Sequence, residues 1–201
     1  EIELNLLGDI KGKSILHLQC HFGQDSISLS RMGAKVTGVD FSEKAILRAQ
    51  ELAKQTSSDA EFICSDIYEL PKVLTQNFDI VYTSYGTIGW LPDINKWADI
   101  VTQYLNPKGK FVFVEFHPFV WMFDDNFEKI KHSYFNRTLI IENEEGTYAN
   151  KEASIQQTNI TWNHPISDVL NNLLNSGLSL NSLNEYDYSP YNCFNNTTEF
   201  S

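Results

Sequence analysis

ILHLQCHFGQDSISLSRMGAKVTGVD, residues 15–40, is the stretch whose reading decides the fold. Its first part, within SILHLQ (14–19), is a short apolar run behind the turn signal GDIKGK (8–13), and it predicts a strand. GQDSISLSRMG (23–33) then spaces Ile27, Leu29 and Met32 as one side of a helix, which Gly33 stops. AKVTGVD (34–40) is a second, β-branched strand ending on Asp40. The turn between the first strand and the helix, QCHFG (19–23), holds a single glycine, Gly23. A turn meant to bring backbone close to a ligand usually has more, because glycine alone enters φ > 0 without strain.

The same alternation continues outward. SEKAILRAQELAK (42–54) opens on Ser42 as an N-cap and repeats apolar residues at Ala45, Ile46, Ala49 and Leu52. Three more strands are predicted in AEFICSD (60–66), FDIVYTSYG (78–86) and GKFVFVEF (109–116), the last preceded by a helix in NKWADIVTQYLNP (95–107). Strand and helix in turn predict an α/β fold: a doubly wound, mostly parallel sheet with helices on both faces, three layers deep. The rhythm breaks after strand five. Residues 117–163 collect aromatic residues and then two strand-like runs, NRTLIIENEEGTYA (136–149) and SIQQTNITWN (154–163), read as an insertion ending in a β-hairpin. PISDVLNNLLNSG (165–177) restores a helix, and LSLNSLNEYDYSP (178–190) is predicted to be a sixth strand. With no repeat or Pro-rich linker, the 201 residues are read as one domain.

Composition narrows the function classes. A formal charge of −11 disfavours a partner held through its phosphates, so nucleic acid is not expected. No apolar run is long enough to span a bilayer, and EIELNLLGD lacks the character of a secretory leader, so no membrane association is expected. Cys20, Cys64 and Cys193 are odd in number and form no CxxC pair, which supports neither a disulfide framework nor a metal site and fits a reducing cytoplasm.

Ligands of open α/β sheets sit beyond the carboxyl ends of the strands. Those ends carry Gln19 to Gly23, Asp40, Asp66, Thr83 to Gly86 and Glu115 to His117. Asp40 follows the first turn at about the twenty-residue spacing at which an acid reaches the ribose of a bound nucleotide. Asp66 is placed to accept from an adenine amino group, with Ile67 against the ring. Both residues can equally start turns and cap helices, and Gly23 can serve only close packing of helix on strand.

Taken together and in order, residues 10–116 resemble the class I S-adenosylmethionine-dependent methyltransferases, a Rossmann-like family. ILHLQCHFGQDSISLSRMGAKVTGVDFSEKAI is similar to the family's first motif and second-strand acid, FICSDIYELP to its third-strand motif, and FDIVYTSYGTIGWLPD and LNPKGKFVFVEF to its fourth and fifth. The departures lie in the first motif: His17 stands where the family usually has an acid, and Gln19 and His21 stand where it has glycines. Those two residues are expected either to fit with negative φ or to leave the cofactor less room.

The resemblance implies S-adenosylmethionine held by Gln19, Cys20, His21, Gly23, Gln24, Asp40, Phe41, Asp66, Ile67 and Ser84. It implies methyl transfer to an unidentified small molecule, with Glu115 and His117 as candidate bases and Tyr85, Trp90, Trp121 and Tyr191 as candidate walls of the acceptor site. His117 reads equally as a loop or core histidine, and the aromatics as core. The insertion is expected to cover the acceptor. Two other functions share these residues: a binding module that has lost catalysis, and an NAD-dependent oxidoreductase, whose G-x-G-x-x-G the first turn lacks. The family sheet commonly ends in a seventh, antiparallel strand, and none is predicted here.

Overall fold

The computed structural model describes residues 2–124, 126–145 and 156–189. They form two compact units, Glu1–Tyr85 with Asn95–Glu115, and Gly86–Ile94 with Phe116–Ser201.

In the first unit, strands β1 (Ser14–Leu18), β2 (Lys35–Asp40), β3 (Glu61–Cys64), β4 (Phe78–Ser84) and β5 (Leu105–Val114) form one parallel sheet in the order β3-β2-β1-β4-β5. Covered on both faces, β1 and β2 are buried continuously after their first residue rather than at alternate positions. Right-handed crossovers place α2 (Gln24–Arg31) and α3 (Glu43–Gln55) on one face, and α4 (Ile94–Gln103) on the other, because the winding reverses between β1 and β4. Ser42 caps α3 as predicted, its Oγ accepting from the Ala45 amide at 3.3 Å. Met32 departs from the predicted apolar side of α2 and lies exposed beyond its last turn. β5 begins earlier than predicted. Its LNPKG segment pairs at Leu105 with Phe78 and resumes with Lys110 against Ile80, and Lys108 takes φ 68° in the bulge between. A short helix, α1 (Ile2–Leu7), is fastened at its carboxyl end by Lys110, whose Nζ donates to the carbonyls of Leu6 and Leu7 at 2.9 and 2.8 Å.

The second unit holds the predicted hairpin, β6 (Ile140–Glu145) antiparallel to β7 (Gln156–Thr161), and α5 (Ile166–Asn175), which buries Val169 and Leu173. Trp162 donates its amide to the Gly89 carbonyl at 2.8 Å, and His164 Nε2 donates to the Leu91 carbonyl at 2.8 Å. Arg137 pairs with Asp168 of α5. The predicted sixth strand is not formed within the described residues 178–189. Its alternation of leucines with Ser and Asn is real, but no neighbouring strand offers a ladder, and Leu180 and Leu183 are exposed.

Candidate functional site

Every candidate cofactor residue lies in the first unit, at the carboxyl ends of β1 to β4. Beyond Leu18, which pairs with Val39, the chain enters the first turn with the Cys20 amide donating to the Val39 carbonyl at 2.9 Å. Gln19 (φ 54°), His21 (φ 50°) and Gly23 (φ 70°) then all take left-handed backbone. Of the two alternatives expected for Gln19 and His21, negative φ is not the one realised: the turn keeps a glycine-type path although two of its three left-handed residues carry side chains. Such conformations cost of order 1–2 kcal/mol per non-glycine residue, so the surroundings must hold them.

Asp40 holds the turn at His21. Its carboxylate is nearly buried; Oδ2 accepts the His21 amide and Oδ1 the Ser42 amide, both at 2.9 Å. A carboxylate oxygen has two lone pairs, so each keeps one for a further donor. Beside it Phe41 is 75% exposed, an apolar ring at the very end of β2. Asp66 caps a 3-10 helix (Ile67–Lys72), accepting the Tyr68 amide on Oδ1 at 2.7 Å, while Ile67 is buried. The capping alternative for Asp66 is therefore realised. Gly23 is demanded by packing as well as by φ: a Cβ there would lie 2.4 Å from Phe62.

Behind the turn sits a network that sequence reasoning did not assemble. His17 is wholly buried, its Nδ1 2.8 Å from Ser26 Oγ of α2 and its ring 4.7 Å from that of Tyr82. Burial pushes the His17 pKa down to about 3. Burial, then the Asp40 charge, pushes the Cys20 thiol up, so it stays protonated and unreactive. Burial and the nearby Glu3 charge raise Asp25. Gly38 was also missed: a Cβ there would meet Phe62 at 2.8 Å and Cys20 Sγ at 2.9 Å. A glycine inside a β-branched strand was the available signal.

The candidate acceptor residues divide between the units. Ser84 closes β4, and Tyr85 (φ 29°) packs on the core. Glu115 follows β5 in the same unit. Trp90, Trp121 and His117 belong to the second unit; both tryptophans are partly exposed, and Trp121 meets Phe116 edge-on. His117 caps a 3-10 helix (Pro118–Met122), with Nδ1 accepting the Phe119 amide at 3.0 Å and Nε2 lying 3.0 Å from Glu185 Oε1. Tyr191 lies outside the described residues. Among the described residues no group of His, Cys, Asp and Glu is arranged to hold a metal ion.

A family model described as a methyltransferase domain matches residues 15–109, the span from β1 to the turn inside β5. Through that span the chain is similar to methyltransferase domains. The chain is 36% identical over 104 residues to a ubiquinone biosynthesis O-methyltransferase of Coxiella burnetii, covering 52% of this chain and 44% of that protein. An uncharacterized methyltransferase of Synechocystis is 31% identical over 125 residues, with 61% and 57% covered. The chain thus spans about half the length of these curated relatives. Its fold is shared with an S-adenosylmethionine-dependent methyltransferase from Listeria monocytogenes at TM-score 0.69 and 21% identity, covering 92% of this chain and 82% of that one. The left-handed turn and the Asp40 clasp both lie inside the matched residues 15–109.

Proposed function

We propose that the methyltransferase domain binds S-adenosylmethionine at the carboxyl ends of β1 to β4 and transfers its methyl group to a small molecule. The observation that carries this reading is the Asp40 clasp, which holds the His21 amide in a turn with left-handed backbone at Gln19, His21 and Gly23 and leaves acceptor capacity for two ribose hydroxyls. An exposed aromatic ring, Phe41, beside a hydroxyl-binding carboxylate suits a nucleoside, and the outlying carboxylate of Asp66 suits an exocyclic amine. Cys20 and Gly23 line the turn by their backbone. Gln19, His21 and Gln24 stand where the α2 amino terminus favours a carboxylate tail, and Ser84 stands across the point where the winding reverses.

The bound sulfonium supplies an electrophilic methyl. The protein's contribution is to hold the acceptor in line with it and, where the acceptor is a hydroxyl, to take the proton. We assign that proton to His117 or Glu115, and acceptor contacts to Tyr85, Trp90, Trp121 and Tyr191, with the 117–163 insertion choosing the acceptor. The charge of −11 favours a small molecule over nucleic acid, and Cys20 and Cys64 are free thiols, as suits the cytoplasm. No described helix is long and apolar enough to cross a membrane.

Calorimetric titration with S-adenosylmethionine tests the reading, with NADH in parallel. Saturable heat with the first and none with the second is expected; no heat with S-adenosylmethionine would leave only a domain that has kept the fold without the ligand.

A further inference from the structure

α2 begins without a side-chain cap. Its N-cap residue is Gly23, in left-handed backbone at φ 70°, and the first helical hydrogen bond runs from the Ile27 amide to the Gly23 carbonyl at 2.9 Å. A helix start of this kind leaves the amides of its first turn, here Gln24 to Ser26, without carbonyl partners inside the helix. A capping Ser or Asp would steady the start by engaging one of those amides. In this chain the hold comes from beneath instead. Ser26 gives the core its hydroxyl, and Oγ lies 2.8 Å from Nδ1 of His17, near the end of β1. His17 is itself fixed, in register with Gly38 of β2 and Tyr82 of β4, with its ring 4.7 Å from the Tyr82 ring. This hydrogen bond joins the two sides of the first turn, nine positions apart, while Asp40 holds the turn between them at His21.

We propose that His17 is a positioning residue: through Ser26 it sets where the first-turn amides of α2 point, and so how tightly the first turn holds a carboxylate. The inference rests on the proposed binding of S-adenosylmethionine with its tail at the α2 amino terminus. Both side chains are buried, so they act through the helix they fix. The attraction of a helix start for an anion comes from its first-turn amides and the helix dipole, and it falls off within that turn. A shift of the turn therefore weakens the hold on a carboxylate, while Asp40, on β2, keeps its oxygens for ribose hydroxyls. Replacing both members of a buried polar pair by apolar groups of similar shape costs little stability, whereas removing one leaves the other unsatisfied. That difference separates position from stability.

The test compares two ligands by calorimetric titration: S-adenosylmethionine, and methylthioadenosine, which keeps the nucleoside and a thioether but lacks the amino-acid tail. Ser26→Ala strands the imidazole and lowers stability; His17→Leu combined with Ser26→Ala removes both partners and is expected to recover most of it. In both variants S-adenosylmethionine is expected to bind several-fold more weakly, with methylthioadenosine affinity unchanged. Recovery of S-adenosylmethionine affinity together with stability in the double variant, an equal loss for both ligands, or no loss for either overturns the proposal. Hydrogen exchange of the ligand-free protein gives a second readout: a peptide covering residues 19–27 is expected to exchange faster in the double variant than in the wild type, while peptides of β2 and β4 keep their protection. If the wild type binds neither ligand, the methyltransferase reading falls. The exchange comparison then still decides whether His17 fixes α2, and equal exchange overturns that.

Discussion

The Asp40 carboxylate accepts the backbone amide of His21 at 2.9 Å, so the end of the second strand holds the turn that follows the first. Under the proposed function, ligand recognition and turn conformation are linked through one side chain. Asp40→Ala leaves the His21 and Ser42 amides without this acceptor and is expected to cost about 1–3 kcal/mol in urea unfolding. It is also expected to weaken S-adenosylmethionine binding at least about tenfold, the equivalent of one lost charged hydrogen bond. Unchanged affinity in calorimetry would remove the ribose role.

Left-handed backbone at Gln19 and His21 is strained, which makes the reverse substitutions informative. Gln19→Gly and His21→Gly relieve of order 1–2 kcal/mol each, partly offset by the greater freedom of glycine in the unfolded chain. A net gain of up to about 1 kcal/mol apiece is expected in denaturant unfolding. If cofactor affinity falls while stability rises, these side chains touch the ligand; if affinity is unchanged, they do not.

Gly23 cannot be replaced in the same spirit. Gly23→Ala puts a Cβ 2.4 Å from the Phe62 ring at φ 70°, so overpacking and backbone strain add. A loss of about 2 kcal/mol or more is expected, read as a fall in melting temperature of several degrees. Gly23→Ala combined with Phe62→Leu should recover part of it, because the clash is with that ring.

His17 sets a pH dependence of stability. In the unfolded chain its imidazole takes up a proton near pH 6.5, whereas the folded protein holds it neutral down to about 3. The unfolded state therefore binds more protons between these limits, and stability falls as pH drops from about 6.5 towards 3, by at most about 1.4 kcal/mol per pH unit from this group. His17→Asn keeps a partner for Ser26 without the titration, so its urea midpoint should fall less between pH 7 and pH 5 than that of the wild type. Equal slopes would show that the imidazole is protonated in the folded state.

Strand and helix periods, the Ser42 cap and the spacing of Asp40 were legible because each is local: a β-branched run, an i, i+3, i+4 stripe and an N-cap act through neighbours in sequence. The false sixth strand shows where that reading stops. Residues 178–189 alternate as a strand should, yet a strand exists only where another offers its amides and carbonyls.

The sequence by itself determined the order of the first elements, the parallel sheet and the placing of Asp40 and Asp66 at strand ends, since hydrophobic period and turn chemistry are properties of the chain. Only the tertiary structure decided how Gln19 and His21 are accommodated, which groups Asp40 clasps, that His17 is buried beside Ser26 and Tyr82, and that Glu185 meets His117. Those facts depend on groups far apart in the chain: a carboxylate nineteen positions away holds the turn, and one sixty-eight away meets the imidazole. No local propensity encodes such a meeting, because the energy that selects it appears only when the two segments are packed together.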